Sequence, residues 1–412
     1  MTTIPKSRLN RWASVLGITS LLAGGASLLN LAANILIART LPTEQVGVYA
    51  LLIAIVQLMM LLGSLGQPTL IKRYYSVRSQ GTFNWIADFR TTLFFTLPIL
   101  LITAIIIIFA YRLDVIRGAF VALGGVLFVA IVTLVDMLNS QRLYTSASLI
   151  LRLPTTCVIL PAIIITLFPD SASLEILLAT IITAAILALS IGCRILSTRI
   201  KLGNERIPLR KRVQGIGFLA LIATSLLPSQ GLISIAGLIS PENALAAFGA
   251  LAVLARPFFL IRELLSQLMF VEVVRDRGLK HSRIILGLWG SISFLATGAI
   301  VLLPHFASFV YNRRYIEYHD LITPLIMIAA LLVTEIFPRS YLSSRSRKRI
   351  LQGYTAVDVL IALFGLILIL VLGIKLGIRG IAWAGVVLMV FRNLSAHTIY
   401  AYSRLRNHQH TT

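Results

Sequence analysis

Continuous apolar runs, most of them sixteen to twenty-seven residues long, fill this chain and are divided by short polar stretches. Runs such as Ile105 to Phe109 lack the two-residue alternation that barrel strands show over about ten positions, so the runs read as helices. A hydrocarbon core about 30 Å thick takes about 20 apolar residues per helix. The pattern predicts twelve spans: 15–38, 48–71, 91–110, 118–138, 153–168, 175–193, 213–238, 244–270, 284–303, 321–338, 351–373 and 381–400. The fifth is the shortest and carries Pro154 and Pro161.

Composition moves the picture in the same direction. Of 412 residues, 58% are hydrophobic and 13% charged, with mean hydropathy +0.90, whereas soluble domains carry about 25% charge. An all-α polytopic membrane protein is the expected fold class. Lys6, Arg8 and Arg11 resemble the basic start of a signal peptide, but the first span is too long for one and further spans follow at once.

Charge then orients the spans. With twelve crossings both termini share a side, and that side holds twenty-seven of the 37 Lys and Arg, against seven in the opposite loops; Arg256, Arg262 and Arg392 fall within spans. Positive charge collects in cytoplasmic loops, so both termini are expected there. The net charge of +22 is then mostly a topology signal. A nucleic-acid partner is not expected, because no soluble segment is long enough to present a basic domain. Membrane lipids are: the inner loop Arg194 to Arg212 carries seven Lys or Arg against Glu205, and each such cation near anionic headgroups is worth about 1 kcal/mol.

Several chemistries lose support. Cys157 and Cys193 lie inside spans, and the six His are scattered without ligand spacing, His305 and His319 sharing one external loop; no metal site or cofactor is expected. The longest outer loop, Pro304 to Asp320, is too short for a catalytic domain, so no catalytic residue is assigned and an enzyme is not expected. The chain also lacks a phosphate-binding G-x-x-x-x-G-K-[ST] loop. Uphill movement of a substrate would therefore draw on an ion gradient or on the substrate's own gradient.

The basic loop is expected to join two six-helix bundles, 1–200 and 201–412. Shifting the sequence by 199 residues lays Pro42 on Pro241, Tyr49 on Phe248 and Leu52 on Leu251, so the halves repeat with the same orientation. Parallel repeats are one plan of secondary transporters.

The segment Ala38-Arg39-Thr40-Leu41-Pro42-Thr43-Glu44-Gln45-Val46-Gly47-Val48-Tyr49-Ala50 resembles the polysaccharide transporter family of the multidrug/oligosaccharidyl-lipid/polysaccharide exporter superfamily, whose members carry Arg-x-Leu-x-x-x-x-x-Gly-x-Tyr after the first helix. Leu65-Gly66, Arg73 and Tyr74 continue the resemblance. So do Ser240-Pro241-Glu242-Asn243 with Phe248 and Leu254-Ala255-Arg256, and Gly377-Ile378-Arg379-Gly380-Ile381-Ala382, although Ala246 stands where the family often has Gly. The resemblance implies a MATE-like architecture and a flippase. Its substrate would be a polyprenyl-diphosphate-linked oligosaccharide, an O-antigen or other surface polysaccharide unit, crossing a bacterial inner membrane by alternating access. Polysaccharide assembly proteins would then be partners. A drug or metabolite antiporter of the same superfamily, or a membrane polysaccharide polymerase or acyltransferase, are the rival readings.

Such a substrate needs cations and wettable side chains within the membrane. Arg256 lies about twelve residues, roughly 18 Å, from the outer end of its span, and guanidinium forks match phosphate oxygens in pairs; the competing reading is an ion pair with a carboxylate on another helix. Arg39 is a substrate-binding candidate or a snorkelling anchor. Arg392 is a further substrate-binding candidate, and Asp358 an ion-coupling one, unless the two pair as scaffold. Glu263, seven residues after Arg256 on one helix face with Gln267 beyond, is the other deep carboxylate available for ion coupling. Asn30 and Asn34, one turn apart with Ser27, and Gln230 beside Ser229 are either helix glue or sugar ligands. Asp136 and Glu335, near cytoplasmic span ends, read as solvated.

Overall fold

Within lipid, backbone N–H and C=O groups find partners only inside the protein, and a helix satisfies them locally. The computed structural model describes residues 6–78, 82–169, 173–275, 281–346 and 348–408, and these are almost wholly helical. Among the described residues the one extended pairing is an isolated parallel bridge between Thr82 and Lys201.

The helices are α1 (Lys6–Thr40), α2 (Thr43–Gly63), α3 (Gln67–Arg78), α4 (Trp85–Ala110), α5 (Val115–Ser140), α6 (Tyr144–Thr156), α7 (Ile159–Leu167), α8 (Leu174–Arg199), α9 (Leu209–Leu226), α10 (Leu232–Ile239), α11 (Glu242–Val253), α12 (Arg256–Arg275), α13 (His281–Val310), α14 (Ile322–Thr334), α15 (Ile336–Arg345) and α16 (Lys348–His408). Ten stretches of described helix are long and apolar enough to cross a membrane, and α11 with the start of α12, bent by 50°, makes an eleventh.

The last stretch is really two helices. Lys348–His408 is continuous in hydrogen bonding but contains Gly377 at φ 62°, ψ −145°. A side chain at that φ is strained, and glycine is not. Beyond it the chain returns along itself: Gly373 faces Ile381, Gly365 faces Leu388, and the rings of Phe364 and Phe391 lie 6.1 Å apart. Contacts arranged symmetrically about residue 377 define an antiparallel helical hairpin, and its two arms bring the candidate spans among the described residues to twelve.

The chain forms two compact units, 1–41 with 52–223, and 42–51 with 224–412. The boundary cuts α2, whose first turns belong to the second unit. In the first unit α5 is the central helix, packed by α3, α4, α6 and α8. Gly124 and Gly125 there admit the side chains of Val56 and Met59. In the second unit α14 is central and lies against α12, α13 and α16. Peripheral helices carry the exposed apolar side chains that lipid would cover, such as Phe94, Ile102, Ile106 and Phe109 on α4 and Phe294, Leu302 and Phe309 on α13.

The fifth span differs from expectation. It runs from Tyr144 to Leu167, so Arg152, assigned to a loop from sequence, sits two turns inside α6. Its Nη1 donates to Ser27 Oγ at 2.9 Å and to Ala23 O at 3.4 Å. A partner on α1 lets a cation stay within the span, and hydropathy alone does not register that compensation.

Candidate functional site

In the second unit, α11 and α12 are one span broken at Leu254-Ala255. Leu254 N and Ala255 N close back on Leu251 O and Ala252 O at 3.1 Å each, and Pro257, which has no N–H, sits at the start of the next helix. Arg256 is the first residue of α12 and is partly exposed. Its electrostatic neighbours are the phenols of Tyr49 and Tyr311. Among the described residues it forms no ion pair with a carboxylate, so the pairing weighed for it from sequence is not made.

Close backbone packing brings Tyr49 to this place. A Cβ on Gly47 would stand 2.9 Å from Glu242 O and 3.3 Å from Ala246 N, and one on Gly249 would stand 2.5 Å from the Cβ of Ala50. The first turns of α2 therefore lie against α11 at a separation that small residues permit. Tyr311, buried, donates to Ala250 O at 2.8 Å, which fixes the second phenol.

Deeper in the same unit lies a buried charge cluster. Arg392 Nε donates to Asp358 Oδ1 at 2.9 Å, Nη2 to Glu335 Oε1 at 2.9 Å, and Nη1 to Thr224 O at 2.6 Å. Thr224 Oγ1 donates to Asp358 Oδ2 at 2.5 Å, and Arg339 Nη1 reaches Glu335 Oε1 at 3.0 Å. Asp358 thus has both oxygens engaged, and the pairing with Arg392 that the sequence offered is present. Glu335 departs from its solvated reading: it is 2% exposed, because two guanidinium groups meet it where α14 gives way to α15. Glu263 is partly exposed beside Arg262, which also feels Arg339, Glu335 and Arg392. Gln267 falls among residues whose side chains lie outside the description.

Gln230 occupies a π-helical turn, Leu227–Gly231, between α9 and α10. Wider turns of this kind recur at functional sites. Its side chain is partly exposed, and its carbonyl accepts from Ser234 Oγ at 3.0 Å.

In the first unit the polar stripe of α1 faces α6. Asn30 Nδ2 donates to Thr155 O at 3.0 Å, Asn34 Nδ2 donates to Asn30 Oδ1 at 2.7 Å, and Ser27 holds Arg152. These contacts are those of helix glue. Arg39, in the last turn of α1, is exposed.

A second buried pair closes the end of this unit. Arg212 Nη2 meets Asp88 Oδ1 at 2.5 Å with both side chains buried, and Arg212 Nη1 donates to Thr92 Oγ1 at 3.0 Å. Gln67 Nε2 donates to Arg212 O at 2.9 Å, and Tyr75 donates to Asp88. Burial and the neighbouring Asp88 carboxylate hold the Tyr75 phenol well above its usual range, so it remains a donor. Arg212, counted from sequence among the loop cations, is a structural group. Its signal was weak: a lone Asp88 at the edge of an apolar run, with Thr92 and Thr96 one and two turns on.

The arrangement of helices has a known fold. No family model matches the sequence, and no curated protein matches it. Solved structures do. The lipid II flippase MurJ in an inward closed conformation superposes with a TM-score of 0.67 at 11% identity, over 92% of this chain and 86% of that one. An inward-facing multidrug resistance MATE family transporter of the MOP superfamily gives 0.61 at 14%, over 94% and 98%. The MATE multidrug transporter DinF-BH, solved as a complex, gives 0.61 at 17%, over 98% and 96%. The chain is a multi-pass membrane protein with the fold that these flippases and drug transporters share.

Proposed function

We propose that this protein is a flippase for a polyprenyl-diphosphate-linked oligosaccharide, moving it between leaflets of a bacterial inner membrane by alternating access, and that it performs no covalent chemistry. The observation that supports this reading most is Arg256. A guanidinium within a membrane span is costly unless paired or placed where water or ligand reaches it; Arg256 has no carboxylate partner among the described residues and is partly exposed.

Its setting suits an anion. The guanidinium opens the second half of a broken helix, whose N-terminus is the positive end of its dipole. A diphosphate offers oxygens to both. A cationic drug would meet repulsion at the same place, which disfavours the antiporter reading. Tyr49 and Gln230 add hydrogen-bonding groups in the same unit. Arg392, Asp358 and Glu263 stand as groups that tune the charge of the span interiors. Polysaccharide assembly proteins are the expected partners.

The test is reconstitution in liposomes with a fluorescent lipid-linked oligosaccharide. The protein should accelerate transbilayer movement, and Arg256→Ala should remove that acceleration while leaving the protein folded. Equal movement by the variant, or transport of a cationic dye in place of the lipid-linked sugar, would overturn the proposal.

A further inference from the structure

The segment joining α8 to α9 is docked rather than slack. Lys201 bridges to Thr82, and Asn84 N donates to Glu205 O at 2.8 Å. Ile207 N donates to Asp88 Oδ1 at 3.2 Å, and the Arg212–Asp88 pair closes its far end. A Cβ on Gly203 would stand 3.1 Å from the carbonyl carbon of Thr82, so the two backbones lie in contact. Ile200 and Ile207 turn inward, 4% and 3% exposed.

What this docking leaves outward is mainly cationic, with Glu205 partly exposed, and partly greasy. Arg199, Lys201, Arg206 and Arg210 are exposed, and between them Leu202 and Leu209 are 62% and 64% exposed. A soluble surface would not favour two bare leucines among four cations. A membrane boundary does, because headgroup phosphates meet the cations and the leucines enter the acyl border. From these features we propose that the docked segment 199–210 is a binding surface for anionic phospholipid headgroups, preorganised by the buried Asp88–Arg212 pair. The backbone that carries the cations is held in place before lipid arrives, so less ordering entropy opposes binding. The occupant is lipid rather than free phosphate because the leucines contribute only against an acyl border. This inference does not depend on the flippase reading, since lipid retention is measured without transport.

The full-length protein, purified in mild detergent, is offered phosphatidylglycerol or phosphatidylcholine, and bound lipid is counted by native mass spectrometry. The expected result is selective retention of phosphatidylglycerol, lowered about tenfold or more in Lys201→Gln/Arg206→Gln/Arg210→Gln, at roughly fivefold per cation before losses from non-additivity. An equal charge change elsewhere, Arg112→Gln/Arg313→Gln/Lys375→Gln at other exposed positions, should leave retention unchanged. Asp88→Asn, which keeps every surface cation but loosens the clamp, should lower retention by a few fold. Equal retention of both lipids, an equal loss in the control triple variant, or full displacement by millimolar inorganic phosphate would each overturn the proposal.

Discussion

Gly47 and Ala246 are 199 residues apart, the period of the sequence repeat, and they pack against each other: a Cβ on Gly47 would stand 3.3 Å from the backbone nitrogen of Ala246. Ala50 and Gly249, also 199 apart, meet in the same way at 2.5 Å. The two contacts share one offset and lay the first turns of α2 along α11. The glycine of the Gly-x-Tyr segment therefore has a packing reason, since it admits α11, and the tyrosine two residues on is an electrostatic neighbour of Arg256.

Gly47→Val should destabilise the protein by about 1–3 kcal/mol, because the added carbons meet backbone rather than a yielding side chain. Thermal unfolding in detergent reads the change. A variant that melts with the parent would show that the close approach carries no constraint.

Removing one member of the buried cluster leaves charge without compensation. Arg392→Ala should cost about 3–5 kcal/mol, whereas Arg392→Met with Asp358→Asn and Glu335→Gln should cost less than the single change. Unfolding midpoints of the two variants give the ranking. The reverse order would mean that the carboxylates are not counter-ions to Arg392.

For Arg256 the expected split is between activity and stability. With no carboxylate partner to strand among the described residues, Arg256→Ala should leave the midpoint nearly unchanged while abolishing flipping, and Arg256→Lys, a point charge without the fork, should retain part of it. Flipping rates and unfolding midpoints measured on the same preparations separate the two effects; a large stability loss would assign Arg256 to packing.

At the α16 hairpin two glycines should differ in tolerance. Gly377→Ala meets only an unfavourable backbone region that glycine alone enters readily, about 1–3 kcal/mol, since nothing lies within 4 Å of its Cβ position; a Cβ on Gly380 would stand 2.0 Å from Leu372 O. Gly380→Ala should therefore lower the unfolding midpoint more than Gly377→Ala, and equal effects would count against the tight turn.

Most of the helical framework was legible because lipid imposes one rule on every span: about twenty apolar residues with backbone bonds closed locally. The broken ends of spans were less so. Arg152 ended the fifth span on a hydropathy argument, yet Ser27 and the carbonyl of Ala23 hold it inside the helix. Arg212 looked solvated because its partner Asp88 lies 124 residues away, and Glu335, with Arg339 one turn on, gave no sign of Arg392, 57 residues away; pairing over such separations leaves no local trace.

Hydrophobic run length and the paucity of charge within it were enough to specify a bundle of twelve membrane helices, since burial of apolar surface needs no knowledge of which helix lies beside which. Charge partnership did need that knowledge. Folding put Arg392, Asp358 and Arg212 into compensated, buried clusters and left Arg256 beside two phenols at a helix break. Coulomb energy falls with distance in space rather than in sequence, so which rare cation meets a carboxylate and which lies beside phenols was decided by the packing of the helices.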